Sequence, residues 1–298
     1  MRVTQKIIYD DFLRDITKNR THMARVQSDL SSGKTVRLPS DNPINFVRSR
    51  NIEDNLRKAE QYQDNLSSGL RQARLAQEAT DEIIERLVDV KRLVTGAATD
   101  SSSANVRATM ADEIKNIRDT MVASLNTSYG DRFLFGGTNS GEPPFVLDDT
   151  QPSGVLNRSN ANAPEIAVGD GVRVDISIPG TEVTDLGNGN ELFQMMADIE
   201  TALRNNDGQA LNAHLNDIDQ AIDSTTIGIS RLGGNINRME FMFEQYESTK
   251  IVLSTDISRL VDTDFAASIS EMQRVQTSYE ASMAVQTRMI NNTLLDYI

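Results

Sequence analysis

The sequence predicts a mainly α-helical protein: long antiparallel helices, bundled or coiled, whose N- and C-terminal halves pair around a small β-rich insertion. Three observations lead there. Apolar residues recur every three or four positions over long stretches of both halves. One stretch, residues 133 to 189, abandons that period. With 5% aromatic residues and no Trp, packing must rest on Leu, Ile, Val, Met and Ala.

The first element runs from Met1 to about Leu30, with Ile8, Phe12 and Ile16 every four residues, followed by Met23, Val26 and Leu30. That is one apolar stripe on a helix with too few apolar side chains to order itself alone. The last element, Phe265 to Ile298, carries the matching stripe: Phe265, Ile269, Met272, Val275, Tyr279, Met283, Ile290 and Leu294. Residues 1–45 hold 8 Lys+Arg against 5 Asp+Glu, and residues 255–298 hold 3 against 6, so charge permits the two arms to pair. Periodicity alone equally allows both arms to pack on the body of a monomer.

Between the arms the punctuation is clear. Ser40, Asp41 and Asn42 precede Pro43, the pattern of a side-chain N-cap with proline in the first turn. The helix that follows runs through Ile52, Leu56, Ala59, Leu66, Leu70, Ala73, Ile84, Leu87 and Val94 to Gly96, a candidate C-cap. At about 1.5 Å per residue, fifty residues make a rod of roughly 75 Å. A second helix follows Ser103, with Val106, Met110, Ile114, Ile117, Met121 and Leu125 on one face.

In the insertion, Val172, Val174, Ile176 and Ile178 alternate with polar residues, and Gly169, Asp170 and Gly171 mark a hairpin turn. Helix returns at Glu191 and breaks at Asp207 and Gly208. From Leu211 to Leu260 a four-three register holds, interrupted only at Thr225 and Lys250, which is coiled-coil periodicity. Gly228, Gly233 and Gly234 mark a place where helices could approach closely. The domain expectation is threefold: terminal helices over 1–42 plus 258–298, a long-helix rod over 43–136 plus 190–257, and an outward-facing β-rich insertion over 137–189.

Function classes narrow by exclusion. A net charge of −13 opposes general nucleic-acid binding, and no apolar run approaches a bilayer span. Arg2, Lys6, Asp10 and Asp11 interrupt the N-terminus, which therefore lacks the apolar core of a cleavable signal peptide, and export would need another route. No cysteine means no disulfide or thiolate metal site. His22 and His214 stand in unrelated settings, no metal-ligand or nucleophile spacing is present, and Asp148 with Asp149 reads as a solvated turn. No enzyme, cofactor or metal is expected.

Finally, the segment SDLSSGKTVRLPSDNP, Ser28 to Pro43, resembles a hallmark of bacterial flagellins and their hook-associated relatives. SRLVDTDFAASISEMQ, Ser258 to Gln273, is similar to the matching C-terminal signature, and RLGGNINRME, Arg231 to Glu240, to the stretch before it. YGDRFLFGGTNSGEPPF, Tyr129 to Phe145, and the closing NNTLLDYI look closer to the hook-filament junction proteins than to flagellins. Asp89 and Arg92 stand where many flagellins present Arg and Glu to an innate immune receptor, so that activity is not carried over.

The resemblance implies a flagellin-like fold and a structural adaptor of the flagellum. Its arms would pair only on assembly, after type III export in an unfolded state. Implied partners are the first hook-associated protein, flagellin, further copies in a ring, and a cytosolic export chaperone on the C-terminal arm. A filament subunit is the nearer alternative and a cytosolic coiled-coil scaffold the more distant one.

Overall fold

The computed structural model describes residues 2–98, 103–186 and 191–295. Three helices open the chain: α1 (Arg2–Ser32), α2 (Pro43–Ala97) and α3 (Ala104–Leu125). Then come the short strands β1 (Ser128–Tyr129), β2 (Arg132–Phe133), β3 (Phe145–Leu147), β4 (Val155–Asn157), β5 (Glu165–Gly169) and β6 (Val172–Asp175). Four helices close it: α4 (Gly180–Thr184), α5 (Leu192–Asn205), α6 (Gly208–Val261) and α7 (Phe265–Leu295).

Capping explains where these helices start and stop. Asn42 accepts the Asn45 amide at 3.0 Å, so Asn42 is the cap and Pro43 occupies the first turn. Ser103 accepts the Val106 amide at the head of α3, as its position predicts. The Asp207 carboxylate accepts the Gln209 and Ala210 amides at 3.1 and 3.0 Å, and Asn206 ends α5 in the left-handed conformation. At Gly96 the outcome differs from expectation: α2 runs through it to Ala97.

Two compact units result, one formed by Met1–Lys58 with Thr249–Ile298 and the other by Ala59–Ser248. The second contains the hydrophobic core. Leu66, Ile83, Leu87, Val90 and Val94 of α2 are buried with Ile114, Met121 and Leu125 of α3, Leu192, Met196 and Ile199 of α5, and Leu211, Ile218, Leu232 and Met239 of α6. Thr225, which interrupts the heptads, is buried there too and gives its hydroxyl to the Ala221 carbonyl at 2.7 Å.

The strands form three separate antiparallel hairpins, β1-β2, β3-β4 and β5-β6. Asp170 and Gly171 turn the last one, as the alternation predicts, although pairing stops at Asp175 while Ile176 and Ile178 continue into the core. This hairpin is tied to two helices: Asn65 donates to the Ala167 carbonyl and the Tyr246 hydroxyl to the Val168 carbonyl, both at 2.9 Å. Phe145 at the start of β3 meets Phe193 of α5 edge-on, with ring centroids 5.8 Å apart.

The glycines of α6 do not mark helix-helix contacts inside the chain. Gly228 faces Ile178 of the insertion, and nothing lies within 4 Å of a side chain built at Gly233 or Gly234.

Candidate assembly interface

The unit formed by the two ends is organised by the segment between α1 and α2. Gly33 ends α1 with φ +69°, a left-handed turn that glycine adopts without steric cost. The chain then runs beside the α6-α7 junction. Lys34 bridges Asp262, the Thr35 amide donates to the Val261 carbonyl at 2.7 Å, and the Thr263 amide returns to the Gly33 carbonyl at 2.9 Å. Arg37 folds back onto the end of α1, donating to the Asp29 carboxylate at 2.7 Å and to the Ser28 hydroxyl. Asp41 closes the turn by accepting the Leu38 and Arg37 amides at 3.0 and 3.1 Å. These two bonds to the charged form hold its carboxyl below the ordinary value.

With that junction in place, α1 packs on α7. Val26 and Val275 are buried, and Phe12, Ile16, Met23, Leu30, Met272 and Tyr279 are half-buried. His22 meets Glu271 across the pair at 2.7 Å. Arg274 and then His22 lower the Glu271 carboxyl to about 2.

The remaining expected interface residues divide. Phe265, Ile269 and Met283 are exposed, while Ile8, Ile290 and Leu294 lie outside the residues whose side chains are described. The sequence stripe therefore mixes side chains that close the helix pair with side chains left open.

A second apolar set escaped the sequence reading. Tyr9 and Leu13 on α1, Ile44 and Val47 on α2, and Ile251 and Val252 on α6 are all exposed. Signals for it were present: Tyr9 and Leu13 are four apart, Ile44 and Val47 three apart, and Ile251 and Val252 fall outside the heptad positions of α6. In this unit Val26, Val36, Val261 and Val275 are the buried hydrophobic side chains among the described residues. A surface with this ratio of open to covered apolar groups is suited to association. Among the described residues no group of three or more His, Asp or Glu side chains could hold a metal ion, and no helix is long and apolar enough to cross a membrane.

Comparison with known proteins agrees with this organisation. The bacterial flagellin N-terminal helical region matches residues 3–140, and the bacterial flagellin C-terminal helical region matches residues 215–298. Flagellar hook-associated protein 3 of Escherichia coli (strain K12) is 23% identical over 308 residues, covering 97% of both chains. A flagellin of Halalkalibacterium halodurans is 23% identical over 279 residues, covering 91% of this chain and 89% of that one. Among solved structures, a flagellar hook-associated protein from Vibrio parahaemolyticus superposes with a TM-score of 0.68 at 21% identity, covering 74% of this chain and all of the other.

Proposed function

Because the chain belongs to the bacterial flagellin superfamily, with both of its helical ends matched by that family, we propose that it is the structural adaptor joining hook to filament. It works as a non-enzymatic building block of the extracellular flagellum. The observation that carries this reading is the unit built from the two ends. Its exposed apolar residues, Ile44, Ile251, Phe265 and Ile269 among them, acquire neighbours only when copies meet. The domain roles follow: the paired terminal helices line the inner tube, the long helices form the next shell, and residues 137–189 face outward.

Its partners on the two sides are the first hook-associated protein and flagellin, and its own copies close a ring between them. Before assembly, a cytosolic chaperone covers the C-terminal arm, and the chain leaves through the type III export channel without a cleaved signal. Support for the junction role comes from two hook-associated relatives, each matching 97% of this chain and 97% of its own length.

Deleting the gene and examining cells and medium tests the proposal. The expected result is hooks without filaments and intact flagellin in the supernatant. Filaments that persist, or loss of the filament protein itself, would refute it.

A further inference from the structure

On the face of α6 around Gly234, Arg231 is engaged within the chain, donating to the Glu182 carboxylate at 2.6 and 2.7 Å, and the rest of the face stays open. Ile227 and Phe241 stand seven residues to either side of Gly234 and are each 67% exposed. Residues seven apart share a face, so two large apolar side chains flank a notch where a helix carries no side chain at all. Glycine is the poorest helix former short of proline, yet Gly233 and Gly234 sit side by side within the 54 residues of α6 with nothing packed over them. The same face carries Arg238, which has no ion pair among the described residues; of the two arginines in residues 227–239, which contain no acid, Arg231 is already paired with Glu182.

The opposite pattern lies on α2. Glu78, Asp81, Glu85 and Val88 follow one another at three, four and three residues, hence on one face, and all are exposed. Residues 77–85 contain four acids and no base, and Val88 is 50% exposed. Asp81 and Glu85 stand one turn apart as like charges, and partial burial together with Glu85 raises the Asp81 carboxyl above its ordinary value. Within the chain, α2 and α6 run antiparallel, with Arg74 on Glu240 at 2.6 Å and Lys91 on Asp219 at 2.5 Å. That register sets Val88 opposite about residue 223 and Glu78 opposite about residue 235, so Ile227 and Arg238 lie about one helical turn along α6 from those levels. Copies related by rotation about a ring axis keep the same sense, so a neighbouring chain offers the same antiparallel order to within about that turn.

We propose that the Ile227-Gly234-Phe241 face of α6 docks on the Glu78-Val88 face of α2 in the next copy, a head-to-tail contact that propagates around the ring. It rests on the ring assembly proposed above and names the surfaces that meet. With the neighbour's α2 offset by about one turn along α6, Ile227 covers Val88, the α2 backbone of the neighbour approaches at Gly234, and Arg238 answers Glu78. A head-to-tail contact leaves each copy with one face of either kind, so closure needs no second interface.

The absence of cysteine makes the test direct. In cells lacking their own gene, one full-length copy carrying Glu78→Cys is expressed together with another carrying Arg238→Cys, and isolated flagella are treated with a flexible bis-maleimide. A covalent dimer is expected only when both copies are present, which also excludes linkage within one chain. Equal dimer from either copy alone would overturn the head-to-tail pairing. Filaments attached in the same cells monitor assembly. Attached filaments with no linkage between 78 and 238 overturn this inference and leave the junction reading standing, whereas filaments attached equally in cells lacking the gene altogether overturn both. Should single cysteines block assembly, charge reversal decides. Glu78→Arg and Arg238→Glu should each lower attached filaments severalfold and together restore them, and failure to restore would overturn the proposal.

Discussion

Replacing Ile251 and Ile269 by Gln separates assembly from folding. Ile251 is 65% and Ile269 49% exposed, so about half of each side chain is still open to a neighbour. Full burial of an Ile side chain is worth about 1.5–3 kcal/mol, and the open half therefore about 0.8–1.5 kcal/mol on assembly. The pair would weaken each subunit's contacts by about 1.5–3 kcal/mol, roughly 10- to 150-fold in the local equilibrium. Gln is a good helix former, so the isolated chain should change by no more than about 0.5 kcal/mol. For a chain of this size that is roughly 1–2 °C in Tm. The assay is twofold: thermal unfolding of the purified chain by circular dichroism, and flagellin released into the medium of cells carrying only the variant. An almost unchanged Tm with strongly increased release is the expected outcome. A Tm loss beyond about 5 °C would place these side chains in the chain's own packing, and normal filament attachment would show that the open apolar groups do not drive assembly.

Three further outcomes probe the parts separately. Leu66→Ala removes a fully buried side chain from the central core and should cost about 2–5 kcal/mol in denaturant unfolding. Asn42→Ala removes the cap of α2 and should cost about 1 kcal/mol, with Asn42→Ser recovering most of it. The Glu271 carboxyl, lowered from 4.5 to about 2 by Arg274 and His22, favours the folded state while it is ionised. Its contribution is complete above pH 4.5 and disappears as pH falls through about 2, so Glu271→Gln should flatten acid unfolding of the α1-α7 pair followed by helical signal between those limits. An acid limb identical to that of the unaltered chain would contradict this.

The long helices were legible because their signals are local. Apolar spacing, the Asn42-Pro43 cap, Ser103 and the Asp207 break each act within a turn or two, and each reappears in the structure. The β5-β6 turn was legible for the same reason. By contrast, β1 to β4 have only two or three residues each, too few for an alternation to register. They are held from a distance: the Asn126 side chain, 19 residues away, accepts the Phe145 amide at 3.0 Å and donates to its carbonyl at 2.6 Å. Such a bond leaves no periodic trace. Gly234 shows a different limit, because a sequence marks where a close approach is possible without saying whether the approaching helix belongs to the same chain.

Helix α6 bears this out along its own length. Leu211, Ile218, Leu232 and Met239 hold heptad positions and are buried, while Leu253, Ile257 and Leu260 continue the register and are half-buried. The pattern is the same at both ends of the helix, so periodicity encodes the helix and its apolar stripe but not the completeness of its core. What differs is supply: α2, α3 and α5 provide apolar partners in the central unit, whereas the terminal unit relies on α1 and α7, which spend much of their own apolar surface facing outward. Adding intramolecular partners there, for instance by filling the space over Ile251 and Val252 with a fused helix, would raise the stability of the monomer and remove the surface that assembly needs. Under the proposed assembly, these unburied side chains are where association would gain its apolar burial. The ends of the chain would then draw part of their stability from neighbouring copies, in addition to the α1-α7 packing each copy makes by itself.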